Sequence, residues 1–189
     1  IPVVETWDLT ATPVDMMVGF SHAAIGAAVV DFFHGRGHRH MAMVSANDER
    51  ARARVTAFAA RASSLGLPVV PAAFTPAPST MGGGRAGLAE LLARAPQVTA
   101  VFCSSDMLAL GTSIEARERG LLIPQQLAIV GLGDQGFAAD AAPPLTTVRI
   151  DGTRIGRLAA EMLVARVDGQ PHDEAVVDIG FSIVERLSA

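Results

Sequence analysis

Charge is scarce in this sequence: only 18% of its 189 residues are charged and the formal net charge is -4. No basic surface is available to attract a polyanion, so nucleic acid is not expected to bind this stretch by itself. Cysteine occurs once, as Cys103, which excludes an internal disulfide and fits a reducing cytoplasm. No apolar run reaches the roughly 18 to 20 residues that cross a bilayer, and the opening Ile1-Pro2-Val3-Val4-Glu5 lacks the basic and apolar segments of an export signal. The chain reads as soluble, with no membrane partner. It also lacks an initiating methionine, and Ile1 leads almost directly into an apolar strand, so the expectation is a fragment. Internal repeats and low-complexity linkers are missing too. What is present is an apolar content of 50%, enough for packed cores in one large domain or two small lobes.

Short β-rich runs alternate with longer stretches of helical spacing, the pattern of βα units around parallel sheets. The fold class is therefore α/β. Strands are expected at 3–4, 41–44, 69–70, 100–103 and 127–130, mostly buried on both faces. Helices are expected at 21–33, 49–65, 85–95, 106–119 and 153–167, each with apolar residues three and four apart. Gly35 and Gly37, Gly66 and Gly120 follow helices where left-handed caps are commonly glycine, and Pro96, Pro124 and Pro171 likewise fall just beyond helices. The run from Phe74 to Gly84 reads as a long irregular connection, a type of loop that is usually functional or mobile.

Five local patterns then occur in one order. They are Gly37-His38-Arg39-His40, Arg52-Ala53-Arg54, the run from Ala100 to Gly111, Gly120 to Pro124 leading into Leu127 to Gly131, and Pro144-Leu145-Thr146-Thr147-Val148. Together they resemble the effector-binding core of the lactose-repressor/galactose-repressor family of bacterial transcription regulators, over essentially the whole chain. Asp8-Leu9-Thr10, Val18 to Ser21 and Pro78 to Met81 look most like the branch that contains gluconate-operon repressors. The resemblance implies a periplasmic-binding-protein-like, type I fold of two lobes, parallel sheets flanked by helices, with the first lobe incomplete. Residues 1–45 and 151–172 are then expected in the amino-terminal lobe, and 46–148 and 173–189 in the carboxyl-terminal one. It further implies a small sugar or sugar-acid effector held between the lobes, a homodimer in the cytoplasm, and operator DNA contacted only through a helix-turn-helix outside this sequence. Neither cofactor nor covalent chemistry is expected.

Candidate effector contacts follow from position and from this resemblance. Arg54 stands near the start of a helix after the strand at 41–44, and in such sheets ligands sit beyond the carboxyl ends of strands. Its planar fork can hold a carboxylate or vicinal hydroxyls through two bonds; an arginine on a solvated face is the alternative. Ser105 and Asp106 open a helix directly after a strand and read equally as effector contacts or as a helix cap. Ser105 stands where the family commonly has asparagine. Asp134 lies in Gly131-Leu132-Gly133-Asp134-Gln135-Gly136, at the family's effector-facing aspartate. The same residues match a dinucleotide fingerprint, but Pro143-Pro144 arrives too soon for the long helix that fingerprint needs. Phe20 and Ser21 are candidates for an opposite wall, with core packing the alternative for Phe20, and His22 reads as a hydrogen-bonding group or a helix start. Ser79 and Thr80 read as closing over a ligand or as capping a helix.

Two clusters invite other chemistry. His34, His38 and His40 straddle a glycine-marked turn with no carboxylate or thiol to complete a metal set, so a solvated turn is expected and no metal. Ser104-Ser105-Asp106 has no nucleophile elbow around it, so no hydrolase is inferred. Two rival functions remain, a periplasmic sugar-binding protein of a transporter and a nucleotide-dependent α/β enzyme.

Overall fold

Two parallel sheets organise the chain. The computed structural model describes residues 1–68, 72–170 and 174–189. Its elements run β1 (Val4–Thr6), β2 (Met16–Gly19), α1 (His22–Gly35), β3 (Met41–Ala46), α2 (Glu49–Ser64), β4 (Ala73–Thr75), α3 (Met81–Arg94), β5 (Ala100–Cys103), α4 (Asp106–Glu118), β6 (Ala128–Leu132), β7 (Thr146–Arg149), α5 (Gly152–Val167), β8 (Val176–Asp178) and β9 (Ser182–Val184). A three-stranded sheet has the order β1-β2-β8, all parallel. The larger sheet has the order β4-β3-β5-β6-β7-β9, with parallel pairing from β4 through β7. The strand expected at 69–70 and the helix stop at Pro171 lie outside the described residues.

The chain divides into a smaller unit, Ile1–His22 with Ile150–Ser182, and a larger one, Ala23–Arg149 with Ile183–Ala189. This corrects the division expected near residue 45. Strand β3 pairs on both sides within the larger sheet, so Met41–Ala46 belong to the larger unit. Helix α1 follows, because a Cβ on Gly26 would stand only 2.4 Å from the Arg54 carbonyl oxygen of α2. The end of the chain is corrected as well: β8 pairs with β2, so Val176–Asp178 goes with the smaller unit instead of the larger.

Within the larger unit both sheet faces are covered. Successive side chains of a strand point to opposite faces. On β5, Val101 and Cys103 join the core with Leu88, Leu91 and Leu108 of α3 and α4. Phe102 faces the other way and stacks on Phe58 of α2 at 6.3 Å. Burial pushes the Cys103 thiol up to about 12, so it stays neutral beside Thr112 as a small apolar filler.

The irregular loop expected from Phe74 to Gly84 is shorter than the sequence suggested. β4 takes its first residues, and α3 begins at Met81, so Gly82, Gly83 and Gly84 are helical. Packing outweighs the poor helix propensity of glycine here. A Cβ on Gly84 would lie 2.1 Å from the Leu108 carbonyl oxygen, and one on Gly111 would lie 2.0 Å from that of Met81. The two helices thus meet backbone to backbone. On the next turn of α3, a Cβ on Gly87 would stand 2.6 Å from a Val44 methyl of β3.

Candidate functional site

Parallel pairing places the carboxyl ends of β3 through β7 along one edge of the larger sheet, where open α/β sheets bind ligands. Buried hydroxyls set this rim. The Ser104 hydroxyl accepts from the Ala46 N–H at 2.9 Å, and the Ser104 N–H donates to the Val44 carbonyl at 3.0 Å, clipping β5 to β3. Ser45, also buried, donates to the Ala46 carbonyl.

Helix α2 starts from this edge. Asp48 caps it by accepting from the Ala51 N–H at 2.9 Å. Its buried residues are Ala51, Arg54, Phe58 and Ala62, a stripe at three- and four-residue spacing in which Arg54 is the one charge. Arg54 is 6% exposed, which overturns the solvated alternative. Arginine is almost never this buried unless its charge is paired. Arg52, by contrast, is exposed, lies over the Phe74 ring and donates to Asn47.

The loops after β5 and β6 are tied by a carboxylate. Ser105 is the N-cap of α4, accepting from the Leu108 N–H at 3.3 Å. Asp106, fully buried, accepts from the Thr147 hydroxyl at 2.5 Å on one oxygen and from the Gln135 N–H at 2.7 Å on the other. Burial raises the Asp106 carboxyl above its usual range, against those two hydrogen bonds, and the nearby Asp134 charge raises it further. A Cβ on Gly131 would stand 2.2 Å from Asp106 Oδ1. Asp106 therefore ties the loop after β6 and strand β7 to the start of α4.

Asp134 adopts a left-handed backbone, φ 49°, just beyond β6. Its N–H donates to the Thr147 hydroxyl at 3.3 Å. Its carboxylate is clamped by Arg186 Nη2 at 2.7 Å and Arg149 Nε at 2.6 Å, one on each oxygen. Burial works to raise this carboxyl, but the hydrogen bonds from Arg186 and Arg149 outweigh it and hold it below the ordinary carboxylate range. A depressed folded value means that the stabilisation is present above the unfolded value and is lost as pH falls through the folded one. Asn tolerates the left-handed backbone, so Asp134→Asn isolates the charge. The expected result is a loss of about 1 to 3 kcal/mol at neutral pH, shrinking on acidification, read from urea unfolding at several pH values.

The segment containing Asp134 ends in a three-residue 3-10 helix, Gly136–Ala138, so the dinucleotide fingerprint lacks the helix whose N-terminus would hold a pyrophosphate. Ser79 is half-buried and stands just outside α3. Its neighbour Thr80 takes the capping role, accepting from the Gly83 N–H at 3.0 Å.

In the smaller unit, Trp7 and Phe20 directly follow β1 and β2. Phe20 is 2% exposed, its ring edge-on to Trp7 at 6.0 Å and to His22 at 4.8 Å, so the core alternative describes its packing. Ser21 follows, half-buried, before α1. His22 Nε2 lies 3.1 Å from the Trp7 carbonyl oxygen, and since a carbonyl only accepts, Nε2 carries the proton.

The turn is exposed at Gly35, Arg36, Gly37 and Arg39, as expected, while His34, His38 and His40 are half-buried and His38 is packed. The His38 ring meets Phe33 at 5.8 Å and its Nδ1 meets the Thr99 hydroxyl at 3.0 Å, while burial, with the Arg36 charge, lowers its protonation. Among the described residues no three His, Cys, Asp or Glu side chains gather as a metal site. No helix among them is long and apolar enough to cross a membrane.

Trp7, Thr147, Arg149 and Arg186 escaped sequence reasoning. Arg186 reaches Asp134 across 52 positions in sequence, a separation no local pattern encodes. Trp7 had one available signal, an aromatic directly after a strand.

Residues 30–189 match the model of the periplasmic binding protein-like domain. The chain belongs to this family. It is 34% identical to the HTH-type transcriptional regulator GntR of Pseudomonas aeruginosa over 100% of its own length and 55% of that protein's. With the GntR of Escherichia coli K12 the identity is 30%, over 97% of this chain and 55% of the relative. The chain thus spans about half the length of these curated relatives, which are transcription regulators and not enzymes. A crystal structure of the transcription regulator GntR from Chromobacterium violaceum superposes with a TM-score of 0.93 at 33% identity, covering 100% of this chain and 70% of that one. A complex of the transcriptional regulator CelR with cellobiose gives 0.88 at 25% identity, over 100% of this chain and 59% of that one.

Proposed function

We propose that this chain is the effector-sensing part of a transcription regulator of the lactose-repressor/galactose-repressor type, and that it holds a small sugar acid such as gluconate without covalent chemistry. The observation that carries the reading is Arg54, a guanidinium on the otherwise apolar buried stripe of a helix that starts from the carboxyl-end rim. A carboxylate or vicinal hydroxyls suit its planar fork. Ser105, Ser79 and the Asp134 clamp supply further polar groups on the same unit, and Asp106 fixes the loops that carry Ser105 and Asp134. Phe20 and Ser21, expected from the sequence as effector contacts, belong to the smaller unit and enter the proposal as residues to test by substitution.

The names of the relatives support the regulatory half of the proposal, and cellobiose in CelR supports a sugar as ligand. A helix-turn-helix outside these residues would read operator DNA, with the protein a cytoplasmic homodimer. Sensing then rests on differential affinity: a ligand that prefers one conformation tenfold shifts the equilibrium by about 1.4 kcal/mol, and no more.

Titration calorimetry with gluconate, glucose, NAD and ATP tests the proposal. Saturable heat with gluconate and none with the nucleotides is the expected result. Binding of a nucleotide alone would sink the sensor reading in favour of an enzyme. Against the transporter alternative, the coding sequence upstream of Ile1 decides: a helix-turn-helix supports the regulator, and an export signal overturns it.

A further inference from the structure

Two of the passages that carry the chain between its units converge on one carboxylate. The larger unit gives way to the smaller after Arg149 and resumes at Ile183. Arg149 is the last residue of β7, and Arg186 stands just past β9. Both side chains end on Asp134, Arg149 Nε at 2.6 Å from Oδ2 and Arg186 Nη2 at 2.7 Å from Oδ1. All three residues belong to the larger unit, and the third passage, between His22 and Ala23, lies outside this arrangement. The loop that presents Asp134 is itself pegged to β7: the Gly133 N–H donates to the Val148 carbonyl at 2.8 Å and the Asp134 N–H to the Thr147 hydroxyl.

The two arms differ in how firmly they are held. The Arg186 side chain is 17% exposed, and its Nη1 also donates to the Leu145 carbonyl at 2.7 Å. Its backbone N–H donates to the Thr146 hydroxyl at 2.9 Å, and the next N–H, of Leu187, donates to the Pro144 carbonyl at 3.0 Å. The Arg149 side chain is 53% exposed, and among the described residues it bonds to Asp134 alone. An exposed ion pair is weakly held, whereas a fork shared between a carboxylate and a carbonyl is not. Arg149 is therefore the arm that opens first.

We propose that the Asp134 carboxylate is a pin that fastens the larger-unit ends of both passages, with Arg186 as its fixed side and Arg149 as the arm that releases. Domain rotations are absorbed by a few residues at passages of this kind, so the pin sets how much of each passage is free to turn. Whatever neutralises the carboxylate, or draws it to another donor, loosens the chain around Arg149 and Arg186 in one step. The pin is a property of the chain without any solute, so it stands apart from the effector reading above.

Trypsin tests the pin directly, because it cleaves after arginine and Arg149 precedes Ile150. Arg149 can enter the protease only after leaving Asp134, so cleavage there counts the released state. The 189-residue protein is digested at several urea concentrations below its unfolding transition, and the fragments are identified by mass. Cleavage after the buried Arg54 of α2 serves as the reference for opening of the whole unit. The expected result is a rate after Arg149 that hardly responds to urea while the rate after Arg54 climbs. Asp134→Asn speeds cleavage after Arg149 by about tenfold, the scale of one charge-assisted hydrogen bond. Arg186→Ala, which leaves both Arg149 and Asp134 in place, speeds it by about threefold or more, because the loop has lost its fixed side. Circular dichroism establishes that each variant is folded before digestion, and should Arg186→Ala fail that check, Arg186→Gln takes its place with the same result required. Cleavage after Arg149 that rises with urea in step with cleavage after Arg54 means that the passage opens only with the whole unit, and overturns the pin. An unchanged rate in Asp134→Asn, or in the folded Arg186 variant, overturns it as well.

Discussion

Arg54→Ala is expected to weaken gluconate binding by about a hundredfold, the largest effect on affinity of any substitution in this protein. A charge-assisted hydrogen bond contributes about 1.5 to 3 kcal/mol, and a planar fork makes two at once. Arg54→Lys keeps the charge but replaces the fork with a point donor, so it should recover only part of the loss. Because Arg54 is buried among Ala51, Phe58 and Ala62, truncation also leaves a void, and Arg54→Met separates the two contributions by keeping the length of the side chain. The measurement is calorimetry alongside thermal unfolding. A folded Arg54→Met that binds gluconate as tightly as the parent removes the guanidinium from the site.

Asp106→Ala is expected to cost about 3 kcal/mol of folding stability, more than any other single change on the rim. Its two oxygens satisfy the Thr147 hydroxyl and the Gln135 N–H, one of them fully buried, and removal strands both donors. At this chain length the corresponding fall in Tm is about 6 to 12 °C. Urea unfolding gives the free energy directly, and a loss below about 1 kcal/mol would mean that water replaces the carboxylate. The pH dependence carries a distinct signature. Burial raises the folded value of Asp106 above its unfolded one, so between the two the folded state holds more protons, and this contribution to stability falls as pH rises through that window. Asp134 has the opposite sign, so Asp106→Asn and Asp134→Asn should tilt the stability profile in opposite directions.

The helices were legible because their signals are local. Asp48 and Ser105 sit at N-caps, and Gly66 and Gly120 take positive φ just past α2 and α4. Strands were legible only where an apolar run stood alone. β2 and β7 hide between a turn and a helix, and β8 and β9 are three residues each with little burial, so their existence depends on partners distant in sequence. The first turn of α3 is hidden in the sequence because three successive glycines argue against a helix, and the backbone of α4 lying against Gly84 supplies the compensation. In the site, residue identities were readable and their roles were not. Asp106 reads as a cap until Thr147 and Gln135 are seen on it, and Asp134 reads as an open acceptor until Arg149 and Arg186 are seen to occupy both oxygens.

The contact of α3 on α4 through Gly84 and Gly111 has an outcome for recognition. Two helices that touch main chain to main chain leave no slack for either to slide, so the turns that feed them, at Thr80 and Ser105, inherit fixed coordinates before any solute arrives. Ordering an interface on association is a cost subtracted from affinity. Here that ordering is completed during folding, so a solute bound as proposed would meet a finished mould.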